Sequence, residues 1–543
     1  MSDPTGGDLL VQVLREHGVT TVFGVVSVHN LPLVEAVDRD LRFVAVRHEA
    51  AAVNAADAHA RASGGLGCAL TSTGTGAGNA AGALIEALTA GSRVLHVTGN
   101  IDSEYLGQGR GVIHETKDQL GMLASVSKHA AAIASAASAG DVLRRAARAA
   151  LTLPQGPASV EWPIDLQYAA QTIVPADAPA ARPADEGWRG AAPEAARLLA
   201  SARRPVIWAG GGARTAGPGL RALAERLGAP ILTSNAGRGA VPEDHPLVVG
   251  NFATSPAAEP LLRDADLLLS IGTHFRSQET KHYKLNLPER HVQIDVDPAA
   301  IGRAYPVTLG LCGDASAVLP ALVPSETSVE DGWRARASET RRAVRDRLRA
   351  DIGPYTLIND AIRAHLDDAS PIARDVTIPS SQWGNRLLPI LDPATNIFPL
   401  GGGIGQGLAM GIGAATARPD VPTLVIAGDG GFSVHLGEIA TLAQERPWLV
   451  VLLFNDGGYG VLRNMQDRHM DRRSGVDLFT PDFAAVAAAA SMPYALVRDA
   501  ADFDAAFAKA VTAREPYFLE VDVTALGPPP TPFVPPVPVP STR

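Results

Sequence analysis

Apolar residues along this chain recur in two alternating patterns. Short β-branched runs stop at glycine, aspartate or asparagine, and each leads into a longer stretch with apolar residues at helical spacing. RFVAVRHEAAAVNAADAHARASG (42–64) and GCALTSTGTGAGNAAGALIEAL (67–88) each read as strand, turn and helix, with SRVLHVTG (92–99) as a third strand and PASVEWPID (157–165) as the last of the block. A second block holds RPVIWAGGG (204–212), DADLLLSIGTHF (264–275) and ERHVQIDVDPAAIG (289–302), and a third holds TLVIAGDGGF (423–432) and WLVVLLFNDGGYG (448–460). The alternation predicts an α/β protein of three doubly wound parallel-sheet domains, at about 1–170, 186–330 and 355–525. The first and third share one strand–helix rhythm.

The connections carry their own signals. YAAQTIVPADAPAARPADEG (168–187) is rich in proline and alanine and reads as a linker. DGWRARASETRRAVRDRLRAD (331–351) interleaves acidic with basic residues, which predicts a solvated helix rather than a nucleic-acid contact. The tail at 526–543, GPPPTPFVPPVPVPSTR in its main part, is too proline-rich for helix or sheet; a strap lying over the fold or a disordered end is expected.

Composition narrows the possibilities. The 543 residues are 46% hydrophobic and 19% charged, a globular balance long enough for several cores. With 47 basic against 57 acidic residues, the formal charge of −10 gives no footprint for nucleic acid. Two cysteines, Cys68 and Cys312, form neither a disulfide framework nor a zinc motif, which fits a reducing cytoplasm. WLVVLLF is far too short to span a membrane, and the amino terminus lacks the basic-then-apolar pattern of an export signal.

The chemistry lies at the ends of two strands. Asp429 ends TLVIAG and Asp456 ends WLVVLLFN, within one strand–helix–strand unit, so both carboxylates can face one pocket. Hard carboxylate oxygens beside a backbone carbonyl suit Mg²⁺ carrying a phosphate group. Gly428, Gly430 and Gly431 let backbone N–H groups approach that phosphate at a helix start. Either turn alone reads as punctuation. Together, G-D-G, a helix, an apolar strand and N-D-G-G-Y-G resemble the signature of thiamine diphosphate enzymes of the acetolactate synthase, benzoylformate decarboxylase and pyruvate decarboxylase group.

That resemblance implies a metal held by Asp429, Asp456 and the carbonyl of Gly458, with Gly430, Gly431 and Tyr459 beside the cofactor; Asp456 stands where asparagine is commoner. PLGGGIGQGLAMGIGAA (399–415) resembles the segment that bends the cofactor, which gives Ile404 as the apolar wedge and the Gly402 carbonyl as an acceptor for the aminopyrimidine. In IPSSQWGNR, Ser380 and Ser381 match diphosphate contacts. RHEAAAVNAAD resembles the segment whose glutamate, here Glu49, protonates N1′ of the aminopyrimidine. VIHETKDQ resembles a double-histidine segment and offers His114 and Glu115 for proton transfer at the reacting carbon; Ser27, His29, His274 and Arg276 are weaker candidates.

The implied reaction is decarboxylation of a 2-oxo acid, with or without ligation to an acceptor aldehyde or ketone, in a homodimer or homotetramer with shared sites. Ile164, Met465 and the segment THFRSQ depart from acetolactate synthases, Ser72 stands where benzoylformate decarboxylases carry a histidine, and VVGNFATS lacks a flavin-associated motif, so FAD is not expected. A 2-hydroxyacyl-CoA or oxalyl-CoA lyase, suggested by GVVSVHN and Asp118–Gln119, and a non-catalytic cofactor-binding protein remain as alternatives. A nicotinamide or flavin oxidoreductase lacks its G-x-G-x-x-G fingerprint.

Overall fold

Three six-stranded sheets organise the protein, whose computed structural model describes residues 3–173 and 187–537. The first sheet contains β1 (Thr21–Gly24), β2 (Arg42–Ala45), β3 (Gly67–Thr71), β4 (Val94–Asn100), β5 (His129–Ala132) and β6 (Ala158–Pro163). The second contains β7 (Pro205–Ala209), β8 (Ile231–Thr233), β9 (Val248–Gly250), β10 (Leu267–Ile271), β11 (His291–Asp295) and β12 (Leu309–Cys312). The third contains β13 (Ile372–Arg374), β14 (Asn396–Ile397), β15 (Thr423–Gly428), β16 (Leu449–Asn455), β17 (Tyr494–Val497) and β18 (Tyr517–Asp522). Every pairing between these strands is parallel. Parallel strands need helical crossovers that cover both faces, which is why their central members read as unbroken apolar runs.

The outer domains share one topology. Their orders are β2-β1-β3-β4-β6-β5 and β14-β13-β15-β16-β18-β17, the same path twice, whereas β9-β8-β7-β10-β11-β12 in the middle follows the doubly wound dinucleotide-binding order. The edge strand β5 carries no sequence signal, because HAAA is alanine-rich and only half-buried.

Two helices lock the outer domains together. Helix α1 (Glu49–Ser63) begins where the His48 ring accepts the Ala50 N–H at 3.1 Å and ends on Gly64, which has a left-handed φ of 79°. It crosses α3 (Gly407–Ala417) so closely that a Cβ on Gly413 would lie 2.0 Å from the Ala55 carbonyl oxygen. The alanine-rich first helix and the glycine-rich third are thus matched as small surfaces. Between them in sequence, α2 (Thr75–Ala90) packs on α1 within the first domain.

The linker at 168–187 falls largely outside the described residues, as does the end of the tail from 538. Up to 537 the tail is a strap. Thr531 N–H donates to the Asp351 carbonyl at 3.0 Å, Gln382 donates to the Thr531 carbonyl at 2.9 Å, and Asn464 donates to the Phe533 carbonyl at 3.0 Å. The His282 ring meets the Pro536 carbonyl, which carries the strap onto the middle domain. Cys68 is buried and Cys312 half-buried. Among the described residues, no helix is long and apolar enough to cross a membrane.

Candidate active site

At the carboxyl end of the third sheet, β15 passes directly into a helical turn that starts at Asp429, with no loop between. That places Asp429 beside the end of β16, where its Oδ1 accepts the Asp456 N–H at 3.2 Å. Asp429 Oδ2 and Asp456 Oδ1 are buried with no hydrogen-bond partner. Burial raises both carboxyls above their ordinary range, and the facing Asp429 charge adds to burial in bringing Asp456 up to about 6. The nearest counter-charge, Arg463, stands 3.6 Å from Asp456 Oδ1.

The third donor is adjacent. A Cβ on Gly430 would lie 2.7 Å from the Gly458 carbonyl oxygen and 2.7 Å from the Tyr459 ring, so the two turns are in contact. Gly458 itself has φ +147°, and a side chain there would strike the Val476 carbonyl oxygen at 2.2 Å. Arg463 fastens this turn, donating to the carbonyls of Asp456 and Gly457, each at 3.1 Å, and to Asp477 at 2.8 Å. Among the described residues no three His, Cys, Asp or Glu side chains gather around a metal position. The donor set here is two carboxylates and a carbonyl, all hard oxygen, and its orphaned atoms are the kind a small divalent cation satisfies. The residues fit Mg²⁺ and a diphosphate.

The glycine-rich segment is held from below by Asp375, just beyond β13. Its carboxylate accepts the N–H groups of Val376 at 2.7 Å, Gly405 at 3.0 Å and Gly407 at 3.2 Å. Ile404 is 39% exposed and Val434 46%, an apolar pair facing outward. The His435 ring bonds the Gly405 carbonyl at 2.8 Å and lies 5.1 Å from the His48 ring of the first domain. Ser380 and Ser381 lie in a wide π-helical turn; Ser380 Oγ is buried and unpartnered, while Ser381 is half-buried. Against the glycine turns themselves stand Thr377, 2.7 Å from a Cβ built on Gly428, and Ile378, 3.0 Å from one on Gly460.

Glu49 is the first residue of α1, and its Oε2 accepts the Asn79 amide at 3.0 Å. A Cβ on Gly76 would come within 2.8 Å of Glu49 Oε1 and 2.7 Å of the Ser72 Cβ, so glycine is required for the carboxylate to sit there. His114 has a left-handed φ of 69°, and its backbone abuts Gly74 at the start of α2. Its ring meets the buried His29 ring edge-on at 5.3 Å, and burial followed by His114 lowers the His29 pKa. Glu115 is differently employed: it accepts the N–H groups of Gly109, Gly111 and Val112 at 2.9, 2.8 and 3.2 Å, which spends both oxygens on its own loop. The Gln119 amide accepts from Thr73 and the Gly74 N–H at 2.9 and 2.8 Å and donates to the Gly99 carbonyl at 3.0 Å, tying the His114 loop to two strand ends. Asp118 caps the following helix by accepting the Gly121 N–H. His274 is exposed on the middle domain, its pKa lowered by desolvation from its surroundings and then by Arg276.

The contacts of Glu49, His29 and His114 lie in the first domain, and those of the two aspartates in the third. The sequence reading missed Asp375, Arg463 and Thr377, and took Gln119 only as a pointer to the acyl-CoA lyase alternative. Asp375 follows the apolar run of β13 as Asp429 follows β15, so the strand-end rule alone would have found it.

Three family models match the chain: the N-terminal TPP binding domain of thiamine pyrophosphate enzymes at residues 4–122, their central domain at 192–322 and their C-terminal TPP binding domain at 379–521. A probable 2-ketoarginine decarboxylase of Pseudomonas aeruginosa is 35% identical over 497 residues, covering 88% of this chain and 87% of the relative. A probable acetolactate synthase large subunit of Methanocaldococcus jannaschii is 29% identical, covering 95% and 91% respectively. The acetolactate synthase isozyme 2 large subunit of Escherichia coli is 28% identical, covering 96% of each.

Proposed function

Because the chain belongs to the thiamine pyrophosphate enzyme family and is a thiamine diphosphate-dependent 2-oxo acid decarboxylase or carboligase, we propose that Mg²⁺ completes its site and that decarboxylation is its main outcome. The observation that carries the metal assignment is the pair of buried, unpartnered oxygens on Asp429 and Asp456 beside the Gly458 carbonyl. These three groups would hold the ion, with the N–H groups of Gly430 and Gly431 directed to the diphosphate.

When bound, thiamine diphosphate supplies a nucleophilic carbon that adds to the 2-oxo carbonyl and an electron sink for the bond broken as CO₂ leaves. The chain supplies placement and protons. Glu49, oriented by Asn79, exchanges a proton at N1′ of the aminopyrimidine. Ile404 offers an apolar support, and the Gly402 carbonyl accepts a hydrogen bond from the aminopyrimidine. His114, packed on a His29 whose pKa burial lowers, is the proton donor at the reacting carbon. Glu115, committed to its loop, is a positioning group in this reading.

A donor with a long cationic side chain is the first substrate to test. Supporting it are the 35% identity to a relative named a probable 2-ketoarginine decarboxylase and the departures from acetolactate synthases at Ile164 and Met465. The contacts of Glu49 with Asn79 and Gly76 lie in its own domain, and we assign the working unit to a homodimer or larger homo-oligomer in which one protomer's Glu49 faces its partner's diphosphate turns.

The test is to add thiamine diphosphate and Mg²⁺ to apoprotein and measure CO₂ release from 2-ketoarginine, pyruvate and other 2-oxo acids, with and without aldehyde acceptors. Glu49→Gln is expected to keep cofactor binding and lose turnover by roughly 10²–10⁴-fold. Equal turnover in that variant, or no cofactor affinity in the wild type, would overturn the reading.

A further inference from the structure

The segment between Phe398 and Gly407 is gripped at both ends, and the grip on its first half comes from the other two domains. Glu86, on α2, is 1% exposed at its side chain; its Oε1 accepts the Leu400 N–H at 2.7 Å and its Oε2 the Gly401 N–H at 2.5 Å. Arg61, on α1, donates to the Phe398 carbonyl at 2.8 Å while paired with Glu86 at 3.1 Å and with Asp57 at 2.5 Å. Arg276 of the middle domain donates to the Leu400 carbonyl and, at 3.0 Å, to the Thr89 carbonyl beside Glu86. At the far end Asp375 holds Gly405 and Gly407. Gly402 and Ile404, the residues exposed between these clamps, are the ones the proposed function assigns to the cofactor.

We infer that Glu86 is a positioning residue for the reaction: it fixes the height and tilt of the Gly402–Ile404 tip by taking two consecutive backbone N–H groups with one carboxylate. Two adjacent N–H donors on a bidentate acceptor define an orientation as well as a place, which a single contact does not. Burial pushes the Glu86 carboxyl up, and Arg61 opposes this only in part. The two helices that build the clamp also build the acid: Glu49 opens α1 and Asn79, its partner, lies in the second turn of α2. In the proposed homo-oligomer one helix pair therefore sets the proton-transfer group of one site and the cofactor-supporting loop of the next. A Cβ at 401 would lie 2.8 Å from Glu86 Oε2 and would push the carboxylate away from the two N–H groups. Arg276 has a defined use in this arrangement, as the middle domain's contribution to the loop.

This inference rests on the proposed function for its consequence but not for its first measurement. In Glu86→Gln the amide keeps one acceptor oxygen and presents a donor to the second N–H, so the loop loses half its clamp. Hydrogen–deuterium exchange of the backbone across 398–405 in the cofactor-free protein is expected to rise on the order of tenfold at Leu400 and Gly401. With thiamine diphosphate, Mg²⁺ and a 2-oxo acid the wild type decarboxylates, kcat is expected to fall on the order of tenfold or more, with KM within about twofold and thermal unfolding near that of the wild type. Exchange and kcat both equal to wild type would overturn the assignment, and so would a fall in unfolding temperature with kcat intact below it. If Glu86→Gln does not fold, Arg276→Gln is read by the same two measurements, with faster exchange at Leu400 and lower kcat expected and no change in either counting against the clamp. A wild type that binds no thiamine diphosphate contradicts the proposed function alone, because the exchange measurement needs no cofactor.

Discussion

At the scale of single residues, the site depends on carboxylates removed from water, and their partners decide what each can do. Asp429 and Asp456 keep one unpartnered oxygen apiece, whereas Glu115 has none to spare and Glu86 gives both to backbone N–H groups. Asp375 lies between these cases: three N–H bonds lower its pKa, but burial outweighs them and pushes it up from 3.8 to about 6. Between those values the folded protein binds a proton that the unfolded chain does not. Stability from this group is therefore complete below about pH 3.8 and is lost as pH rises through about 6. Relative to Asp375→Asn, the wild-type apoprotein is expected to gain roughly 2 kcal/mol of unfolding free energy between pH 7 and pH 4. Denaturant melts at the two pH values measure this; an equal difference at both would show that the carboxyl does not titrate in the window.

Secondary-structure elements act here through their ends. β15 delivers Asp429 straight into a helical turn, β16 delivers Asp456, and bare glycine backbones let the two ends touch. Gly430→Ala inserts a methyl where the Gly458 carbonyl and Tyr459 ring already lie, each 2.7 Å from the new carbon. The expected result is a folded protein whose affinity for Mg²⁺ and thiamine diphosphate drops roughly 10–100-fold, read by titration of the apoprotein. Unaltered affinity would mean that the Gly458 carbonyl does not belong to the cation site. The same logic applies at α1 and α2, where Gly76 leaves room for the Glu49 carboxylate.

For the whole molecule, two copies of one sheet topology flank a doubly wound middle domain, and α1 against α3 fixes the outer pair. Large apolar side chains stay exposed near both halves of the site: Val28 at 63% and Ile113 at 71% beside the histidines, and Ile404 and Val434 beside the glycine turns. The homo-oligomer proposed above would cover these surfaces. Sedimentation is expected to show a dimer or larger assembly, and specific activity is expected to fall when dilution produces monomer. A fully active monomer would remove this part of the proposal.

Much of this protein was legible along the chain. The three α/β blocks, both strand-end aspartates and Glu49 at a helix start follow from local rules, since a strand end, a helix start and a glycine turn are each specified within a few residues. The alanine-rich edge strand was not legible, because nothing in HAAA favours a strand until a neighbouring strand offers it hydrogen bonds. Nor was the fate of Glu115 or Glu86. Both are acidic residues in plausible contexts, yet one closes its own loop and the other reaches a segment more than 300 positions away. Sequence fixes which groups are present and how the chain runs locally; which buried carboxylate keeps a free oxygen depends on the distant backbone that packing brings to it, and only the tertiary structure decides that.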